Sequence, residues 1–398
     1  MTPPHMTPHM TPLRVFILAG EPSGDKLGGA LMAGLRSLRP DVVFEGIGGV
    51  QMQAEGLTSL FDMRELSVMG LAEIIPKYLP LKRRIAQTVA AVLALRPDVL
   101  ITIDSPDFSL RVAKGVKAHK SVHSTIRCVH YVAPTVWAWR PGRAAKMARH
   151  IDQVLALLPF EPPLMQAAGM RCDFVGHPVV AEPVATQAQV AAFRKARGLG
   201  AAPLMLVLPG SRRSEVGRLG APFAAAVRLV KAQYPDLRIV VPAAAPVAQA
   251  VLELTADWLD TTVLDPRRGD YEAAMAEKRA AFRAADVALA ASGTVSLELA
   301  AADTPMVIAY DMSPLSRLII ARMMLVDTVT LVNLVSQTRA VPEFIGARCR
   351  GDLIAAGLAS VMEAPQAQHA AMALSMQRLG LGGEDPGLRA ARAVLDGL

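Results

Sequence analysis

The sequence is poor in cysteine and in charged residues. Only three of its 398 residues are cysteines (Cys128, Cys172 and Cys349), which is too few and too scattered for a disulfide or zinc framework. This cysteine usage fits a reducing compartment such as the cytosol. Charged residues make up 19% of the chain, against roughly a quarter in soluble domains, which excludes a chain that is disordered, coiled-coil or fibrous over most of its length.

Long apolar runs are also missing, although 52% of the residues are hydrophobic. The longest stretches without Asp, Glu, Lys or Arg, such as residues 198–211, have 14 residues, whereas a membrane-spanning helix needs about 20. Residues 1–12 are a Thr-Pro-His-Met near-repeat without the basic and apolar parts of a secretory signal. We therefore expect a disordered extension at 1–12, no signal peptide and no membrane span.

Basic residues are unevenly distributed. The chain has 42 Lys and Arg against 35 Asp and Glu, a net charge of +7. Residues 1–180 hold 20 basic and 14 acidic residues, a net +6, whereas residues 181–398 hold 22 and 21, a net +1. The basic first half is suited to nucleic acid, an anionic membrane surface or a phosphorylated substrate.

Short apolar runs alternate with helical stretches along most of the chain, as is typical of parallel strands buried on both faces. We predict strands at residues 13–19, 98–103, 125–132, 153–158, 204–208, 237–241, 287–291 and 306–310. Helices are predicted at residues 25–38, 81–95, 217–234 and 295–302. Repeated strand–helix units predict an α/β fold with parallel sheets.

The alternation breaks near residues 176–190, where glycine and prolines precede a new helix. The right-handed crossover rule makes each half a doubly wound, Rossmann-like domain, and we expect the two domains to face a cleft. The tail is helical. The predicted parts are an extension at 1–12, a first domain at 13–185, a second domain at 186–375 and a C-terminal helix at 376–398.

Ligands of open α/β sheets bind beyond the carboxyl ends of the strands, so the loops after strands are the candidate sites. The first such loop contains Glu21, Ser23 and Asp25. Ser23 or Asp25 can cap the next helix, which leaves the Glu21 carboxylate for a ligand hydroxyl. A capped strand–helix turn with no further function explains this loop equally well.

The loop after the strand 98–103 carries two carboxylates, Asp104 and Asp107. Asp107 is the natural cap of the following helix, and Asp104 is then placed at the strand tip as a general base. The alternative is that both carboxylates are structural caps. Their Asp-x-x-Asp spacing differs from the Asp-x-Asp pair of a metal-bound nucleotide site, so we predict no metal.

Two tryptophans, Trp137 and Trp139, follow the strand 125–132. Their rings can stack on sugars or line an acyl groove. Packing of the loop against the core is an equally good explanation. We interpret His130 as a core histidine.

In the second half, Gly210, Ser211 and Arg212 follow the strand 204–208. A glycine turn, a hydroxyl and a guanidinium form a good anion cradle, and a basic solvent loop is the alternative. The chain has no Gly-x-Gly-x-x-Gly dinucleotide fingerprint, which argues against a dehydrogenase.

A second anion site is predicted after the strand 287–291. Ser292, Gly293 and Thr294 open a helix there, so that backbone N–H groups can face a phosphate. Glu298, one turn into that helix, can accept both hydroxyls of a ribose. An ordinary capping box is the alternative.

Residues 69–84 combine apolar side chains with a basic end, as interfacial segments do. Pro76 and Pro80 predict that this stretch is not one long helix. A buried core segment with a solvated basic end is the more common arrangement. The residues predicted to contact a membrane or acyl chains are Met69, Leu71, Ile74, Ile75, Leu79, Lys82, Arg83 and Arg84.

The ordered set of these loops closely resembles the lipid-A-disaccharide synthases, glycosyltransferases of Gram-negative bacteria. The resemblance covers residues 13–334, and weakly those beyond, and its specificity comes from the order of the motifs. The motifs that carry it are 19–21 with 23–25, 53–56, 68–70, Asp104 with 106–108, 130–132, 136–140, 158–161, 208–212, 291–294 with Glu298, and 333–334.

The resemblance implies a GT-B glycosyltransferase whose final helix packs back on the first domain. Members join UDP-2,3-diacylglucosamine to 2,3-diacylglucosamine 1-phosphate, which gives the β(1→6) disaccharide 1-phosphate and UDP with inversion. It implies no cofactor and a cytoplasmic protein that is peripheral on the inner membrane, and it leaves homo-oligomers open. The first domain would bind the acceptor and face the membrane, and the second would bind the UDP-sugar.

The resemblance also implies roles for individual residues. One inversion needs one base, which by motif position is Asp104. Arg212 and the N–H groups after Ser292 would stabilise the departing diphosphate without a metal. Glu298 would hold the ribose.

Other matched positions complete the implied site. Glu21 and Ser23 would order the acceptor or catalytic groups, and Asp107, Gly210, Ser211, Gly293 and Thr294 would line the substrate and UDP sites. Asn333 matches a position at the donor site. Val332 stands where relatives often have proline, which changes the expected shape of that loop.

Two other functional classes remain alternatives. One is another GT-B protein that uses UDP-N-acetylglucosamine, a transferase or an epimerase, for which acyl chains would not matter. The other is a non-catalytic two-lobed protein that binds sugar nucleotides. Nucleic-acid binding is supported by the net charge alone.

Overall fold

A computed structural model describes residues 12–66, 71–119, 126–313, 317 and 322–398, and of residues 71–78 it describes the backbone alone. The described chain divides into two compact units. Unit 1 comprises the described residues up to Pro178 together with Gly383–Leu398, and unit 2 comprises those of Val179–Gly382. The predicted extension at 1–12 falls outside the described residues except for Pro12.

Unit 1 contains a parallel sheet of six described strands in the order β2-β1-β3-β4-β5-β6. In the central register, Ile17 of β1 lies opposite Gly46 of β2 and Ile101 of β3. The strands are β1 (Arg14–Ala19), β2 (Val43–Ile47), β3 (Val99–Ile103), β4 (Arg127–Tyr131), β5 (Gln153–Ala156) and β6 (Arg171–Phe174).

Helices cover the sheet of unit 1, and a 3-10 turn spans Met63–Leu66. They are α1 (Pro22–Leu38), α2 (Val50–Ala54), α3 (Leu71–Leu95), α4 (Pro106–Lys117), α5 (Gly142–Met147) and α6 (Pro162–Gln166). The last helix of the chain also belongs to unit 1 and packs closely on α1. Its Gly387 lies so near α1 that a Cβ there would come within 2.7 Å of the Ala30 carbonyl oxygen.

Unit 2 repeats the architecture, with the described strands in the order β12-β11-β10-β7-β8-β9, all parallel. The strands are β7 (Leu204–Leu208), β8 (Arg238–Pro242), β9 (Thr261–Leu264), β10 (Val287–Ala291), β11 (Met306–Tyr310) and β12 (Glu343–Ile345). The central strands β7 and β10 are buried along their whole length.

The remaining helices follow in chain order. They are α7 (Gln187–Ala196), α8 (Arg213–Gln233), α9 (Ala248–Leu254), α10 (Tyr271–Ala284), α11 (Val295–Ala301), α12 (Leu331–Ser336), α13 (Gly351–Glu363), α14 (Gln366–Arg378) and α15 (Pro386–Leu395). Further 3-10 turns lie at Pro178–Ala181, Ala245–Val247 and Gly346–Arg348. Helix α15 is the one that packs on α1.

The predicted α/β class, with two doubly wound sheets and C-terminal helices, is confirmed. All eight predicted strands are present. The four strands that the sequence did not predict, β2, β6, β9 and β12, are the outer strands of the two sheets. An outer strand has a neighbour on one side alone and is less buried, so its sequence lacks the continuous apolar run.

The prediction that Pro76 and Pro80 prevent one long helix is wrong. Helix α3 runs through both positions without a break. A proline removes one backbone donor and bends a helix, but it does not force the helix to end when enough residues continue it on both sides. In the described chain, no helix is both long and apolar enough to span a bilayer.

Candidate functional site

The strand orders place a topological switch point in each sheet. In unit 1 the chain leaves β1 toward β2 on one side and later continues from β3 on the other, so the switch lies between β1 and β3. In unit 2 the switch lies between β7 and β10. Ligands of doubly wound folds bind beyond the carboxyl ends of the strands at such points. The four main loops singled out in the sequence follow these four strands.

The loop after β1 differs from its predicted capping. Helix α1 begins at Pro22, with Glu21 at the N-cap position, and no side chain caps it. Proline suits the first helical position because its missing N–H needs no partner there. Ser23 is therefore the second residue of the helix and is exposed, and neither Ser23 nor Asp25 is the cap.

Asp25 instead caps another helix. Its buried carboxylate accepts hydrogen bonds from the backbone N–H groups of Gly49 (2.7 Å), Gln51 (2.9 Å) and Met52 (3.1 Å), at the start of α2. A carboxylate at a helix N-terminus satisfies donors that have no partner within the helix. The partners lie 24 to 27 residues away in sequence, so local spacing gives no signal for this role.

The loop after β3 has a strained backbone. Asp104 and Ser105 are consecutive residues in the left-handed region, with φ of 46° and 43°. The Asp104 N–H donates to the Tyr131 carbonyl oxygen at 3.0 Å, and the residue is half-buried. No hydrogen bond or ion pair engages the Asp104 carboxylate within the described ranges. Strained residues of this kind are found most often at functional sites.

Asp107 is not the cap of α4, which corrects the prediction. The helix begins at Pro106 and its N-cap is Ser105, so Asp107 is the second helical residue and is exposed. The preference of proline for the first helical position moves the start of the helix one residue before the expected cap. Asp107 still faces the positive end of the helix dipole.

The loops after β1 and β3 touch each other. A Cβ on Gly20 would lie 2.6 Å from the Ser105 Oγ, so a larger residue has no room there. Glycine at position 20 therefore lets the backbone before Glu21 approach the strained pair Asp104 and Ser105. The structure brings Glu21 and Asp104 to adjacent loops of one sheet edge.

The backbone after the next strand, β4, is also strained. Val132, directly after β4, has φ of 83°, and Arg140 has φ of 52°. A positive φ is a genuine outlier for a β-branched residue such as valine. The Arg140 guanidinium lies 4.4 Å from the centre of the Trp139 ring.

The other tryptophan packs on the loop after β5. Trp137 meets Phe160 edge to face, with ring centres 5.4 Å apart. Glu161, beside Phe160, is only 3% exposed, and its carboxylate accepts a hydrogen bond from the Leu158 N–H at 3.0 Å. Burial raises the pKa of Glu161 to about 7. The Trp137 loop is thus packed against a core that contains a titratable carboxyl.

His130 is a core residue, as interpreted from the sequence. It is 2% exposed, and its Nδ1 lies 2.7 Å from the Thr102 Oγ1. Burial lowers the pKa of His130 to about 4, so its ring is neutral at pH 7.

In unit 2, the loop after β7 already holds a carboxylate. Gly210 has φ of +114°, and a Cβ there would lie 2.6 Å from the Glu215 side chain. Glu215 Oε2 accepts from the N–H groups of Ser211 (2.9 Å) and Arg212 (3.2 Å), and its Oε1 accepts from the Arg212 guanidinium (3.0 Å). The donors of this loop therefore converge on an anionic group, which in this structure is the Glu215 carboxylate. A glutamate three residues after the N-cap is the sequence signal for this role.

The loop after β10 is open at its surface. Gly293 has φ of +151° and is exposed, as is Thr294, the N-cap of α11, while Ser292 is half-buried. The alternative weighed for this loop, an ordinary capping box, is absent, since no side-chain hydrogen bond caps α11 at Thr294. Glu298 is half-buried and its Oε2 accepts from Lys278 Nζ at 2.6 Å. Lys278 lies on α10, and no local spacing in the sequence predicts it as the partner of Glu298.

Asn333 does not face solvent. It is 1% exposed, and its amide donates to the Thr328 Oγ1 (3.2 Å) and the Val341 carbonyl (2.9 Å) and accepts from the Val341 N–H (3.0 Å). These bonds tie α12 to the segments on either side of it. Val332 is fully buried next to it.

Part of the predicted membrane segment lies outside the described residues. This applies to Met69 and to the side chains of Leu71, Ile74 and Ile75. Of the rest, Leu79 is 75% exposed, and Lys82 and Arg83 are exposed. Arg84 is engaged within unit 1, since its guanidinium bonds Glu65 at 2.6 Å and lies 4.4 Å from the Phe61 ring centre.

Comparison with known proteins gives a consistent match over nearly the whole chain. The model of the lipid-A-disaccharide synthetase family matches residues 15–390. The lipid-A-disaccharide synthase of Ruegeria pomeroyi is 65% identical over 387 residues, which are 97% of this chain and 96% of that protein. That of Paramagnetospirillum magneticum is 46% identical over 392 residues, which are 96% of this chain and 97% of that protein.

Solved structures share the fold at low identity. A UDP-GlcNAc 2-epimerase from Neisseria meningitidis bound to UDP-GlcNAc is similar with a TM-score of 0.61 and 12% identity, covering 97% of this chain and 98% of that one. The UDP-GlcNAc 2-epimerase of Methanocaldococcus jannaschii has the same score and identity, with 96% and 100% covered. At this identity the similarity concerns the fold alone.

Proposed function

This chain belongs to the lipid-A-disaccharide synthetase family, and from that premise we propose which of its residues carry out the reaction. The protein is a glycosyltransferase of lipid A biosynthesis. It joins UDP-2,3-diacylglucosamine to 2,3-diacylglucosamine 1-phosphate and releases UDP. The relatives do not favour the alternatives of an epimerase, another transferase or a non-catalytic protein.

We assign the general base to Asp104. As the acceptor 6-hydroxyl oxygen attacks the anomeric carbon of the donor, its proton passes to the carboxylate, and the bond to the UDP oxygen breaks with its electrons leaving on UDP. Three observations support the assignment. Asp104 follows a strand at the switch point of its sheet, and its backbone is strained. Its residue is half-buried, and its carboxylate has no hydrogen-bond or ion-pair partner in the described chain. The last of these carries the most weight, because a base must be free to accept a proton.

The acceptor site is proposed to include the neighbouring loop. Glu21, Ser23 and Asp107 are exposed at the same edge of the sheet as Asp104. Hydroxyl and carboxylate groups there can bind the hydroxyls of the acceptor sugar and hold its 6-hydroxyl at Asp104. Gly20 supports this arrangement by allowing the two loops to touch.

Unit 2 is proposed to bind UDP at its switch point. Gly210, Ser211 and Arg212 would take the diphosphate, since the amides of Ser211 and Arg212 and the Arg212 guanidinium bind a carboxylate in the structure. The exposed backbone of Ser292, Gly293 and Thr294 can add further donors.

The remainder of the donor site is assigned by the same reasoning. Glu298 would accept the ribose hydroxyls, with Lys278 orienting its carboxylate. Asn333, being buried, would act by holding α12 and its loop in place. No step of this mechanism uses a metal or a cofactor.

We further propose that the protein is peripheral on the cytoplasmic face of the inner membrane. Leu79, Lys82 and Arg83 are exposed among the described side chains of the segment that combines apolar and basic residues. Such a surface can collect diacylated substrates from anionic lipid. The oligomeric state is a separate property, which sedimentation of the purified enzyme measures.

The substitution Asp104→Asn tests the base. It keeps the shape of the side chain and removes its basicity, so we expect kcat to fall by roughly 10²–10⁴. UDP affinity, measured by calorimetry, stays unchanged because the nucleotide is assigned to unit 2. Glu45→Gln, an exposed carboxylate on β2, is the control and keeps full turnover.

Unchanged turnover in Asp104→Asn contradicts the base assignment, and loss of UDP binding shows that the variant acts through the fold instead. The substrate class has its own test, the release of UDP with acylated and with deacylated donor. We expect release with the acylated donor alone. Equal rates with both donors contradict the lipid A reaction.

A further inference from the structure

A groove between α4 and α5 in unit 1 has an unusual set of side chains. Its volume is about 360 Å³, and none of the described residues that line it is acidic. Five of them are basic: Arg111, Lys114, Arg143, Lys146 and Arg149. We call this feature the α4–α5 groove. The reaction proposed above makes no use of it.

These five cations have no acidic partner in the described chain, whereas many other basic residues of the protein do. Lys117, also on α4, pairs with Asp152 at 2.9 Å. At five other places an arginine pairs with an aspartate two residues away: Arg39–Asp41, Arg64–Asp62, Arg171–Asp173, Arg267–Asp265 and Arg350–Asp352.

The stretch that carries the groove holds no acidic residue of its own, although Asp107 and Asp152 flank it on either side. Residues 108–151 contain nine Lys and Arg and no Asp or Glu. This one stretch accounts for the whole basic excess of the first 180 residues. Like charges gathered in a concave space repel each other, which costs stability unless an anion enters.

We infer that the α4–α5 groove binds phosphate groups carried by lipids. Arginine and lysine are the side chains suited to phosphate, arginine through its planar fork and lysine as a point charge. The half-buried Leu110 adds some apolar surface between the cations, whereas Met147 is 4% exposed and belongs to the core. The inference rests on the proposed function in one respect, since that function supplies phosphorylated, acylated substrates.

Two sources of lipid phosphate reach different parts of the groove. Arg111 lies five residues into α4 from Pro106, about 7.5 Å along the helix axis, so its long side chain is near the loop that carries Asp104. The phosphate of an acceptor bound at Asp104 can therefore reach this end. Arg149 lies shortly before β5, toward the opposite edge of the sheet, and the lipid phosphate inferred for this end is that of a phospholipid headgroup.

The triple variant Arg111→Gln, Lys114→Gln, Lys146→Gln tests the inference. All three side chains are exposed, so the fold is retained, which the melting temperature checks. The first measurement is steady-state kinetics in neutral detergent without phospholipid. If the acceptor phosphate binds in the groove, KM for the acceptor rises about tenfold with kcat within about twofold.

The second measurement is sedimentation with vesicles of equimolar phosphatidylglycerol and phosphatidylcholine. If headgroups bind, the partition coefficient falls on the order of 100-fold, because each basic residue near an anionic surface contributes about a factor of five. The control is Lys195→Gln, Arg218→Gln, Arg228→Gln, which removes the same charge from exposed positions of unit 2 and should change neither measurement.

The outcomes separate the sources. A change in KM alone assigns the groove to the acceptor, a change in vesicle binding alone assigns it to headgroups, and a change in both supports both. The inference is overturned if neither changes, or if the control variant changes as much. A wild-type protein without turnover refutes the proposed function instead, and vesicle binding still tests the groove.

Discussion

Glu161 is the residue whose protonation bears most directly on stability. Its burial raises the pKa to about 7, against an ordinary value of 4.5. The folded protein therefore keeps a proton that the unfolded chain releases between pH 4.5 and 7, and the free energy of unfolding falls as pH rises through this range. The loss is about 3 kcal/mol by pH 8, at 1.36 kcal/mol per pKa unit.

Glu161→Gln should remove this pH dependence, since glutamine stays neutral. We expect the stability of the variant relative to wild type to rise by about 2.5 kcal/mol between pH 5 and pH 8, measured by urea unfolding. The quantity to follow is the difference in the free energy of unfolding between the variant and wild type, because His130 and His177 also titrate and contribute equally to both proteins. Burial lowers the pKa of both to about 4, so their contribution is lost as pH falls from 6.5 toward 4. A constant difference across this range contradicts the prediction, and Glu45→Gln serves as the control.

At the residue scale, the sequence predicts where candidate site residues lie better than it predicts which side chains they contact. Glu21, Asp104 and Arg212 follow strands at the switch points, as their spacing predicts. The partners of these loops were not predicted. Glu215 binds the Arg212 loop through a local spacing that was present but not interpreted. Lys278 reaches Glu298 from another helix, and sequence distance gives no signal for such a pair.

At the scale of elements, burial decides what a single sequence shows. Strands inside a sheet, such as β3 and β10, are buried on both faces and stand out as apolar runs. The outer strand β2 has exposed and half-exposed positions, so its pattern does not differ from that of a loop. The starts of α1 and α4 were misplaced because proline, and not the nearby Asp or Ser, determines the first helical residue.

The short helix α2 depends on Asp25 of α1 for its start. Asp25→Ala would leave three backbone N–H groups without their acceptor in a site where Asp25 is only 4% exposed. We expect a loss on the order of 3 kcal/mol in the free energy of unfolding, and a smaller one for Asp25→Asn, which keeps an oxygen acceptor. Ser23→Ala, at an exposed position two residues earlier, should change stability by no more than about 0.5 kcal/mol. Equal stability of Asp25→Ala and wild type contradicts the capping role.

At the scale of the whole molecule, the apolar composition is explained by two sheets whose central strands are buried on both faces. The charge has a separate explanation, because the basic excess of unit 1 comes from one stretch without acidic residues. The chain also returns to its first unit at its end. Residues 383–398 belong to unit 1 although unit 2 lies between them and the rest of it in sequence.

That return makes unit 1 dependent on the last residues of the chain. Helix α15 buries Ala390, Ala391 and Val394 completely, and Gln153 of β5 donates to the Ala393 carbonyl at 2.8 Å. Removing residues 383–398 exposes the face of α1 that carries Gly34, whose close contact with Gly387 leaves no side chain to cover the gap. We expect hydrogen exchange to lose protection in β1 and α1 while β7 and β10 keep theirs. Because α15 supplies no residue of the UDP site proposed for unit 2, UDP affinity should survive the truncation while turnover is lost. Equal loss of protection in both units would show instead that the chain unfolds as one cooperative body, and full protection of α1 would show that α15 is dispensable.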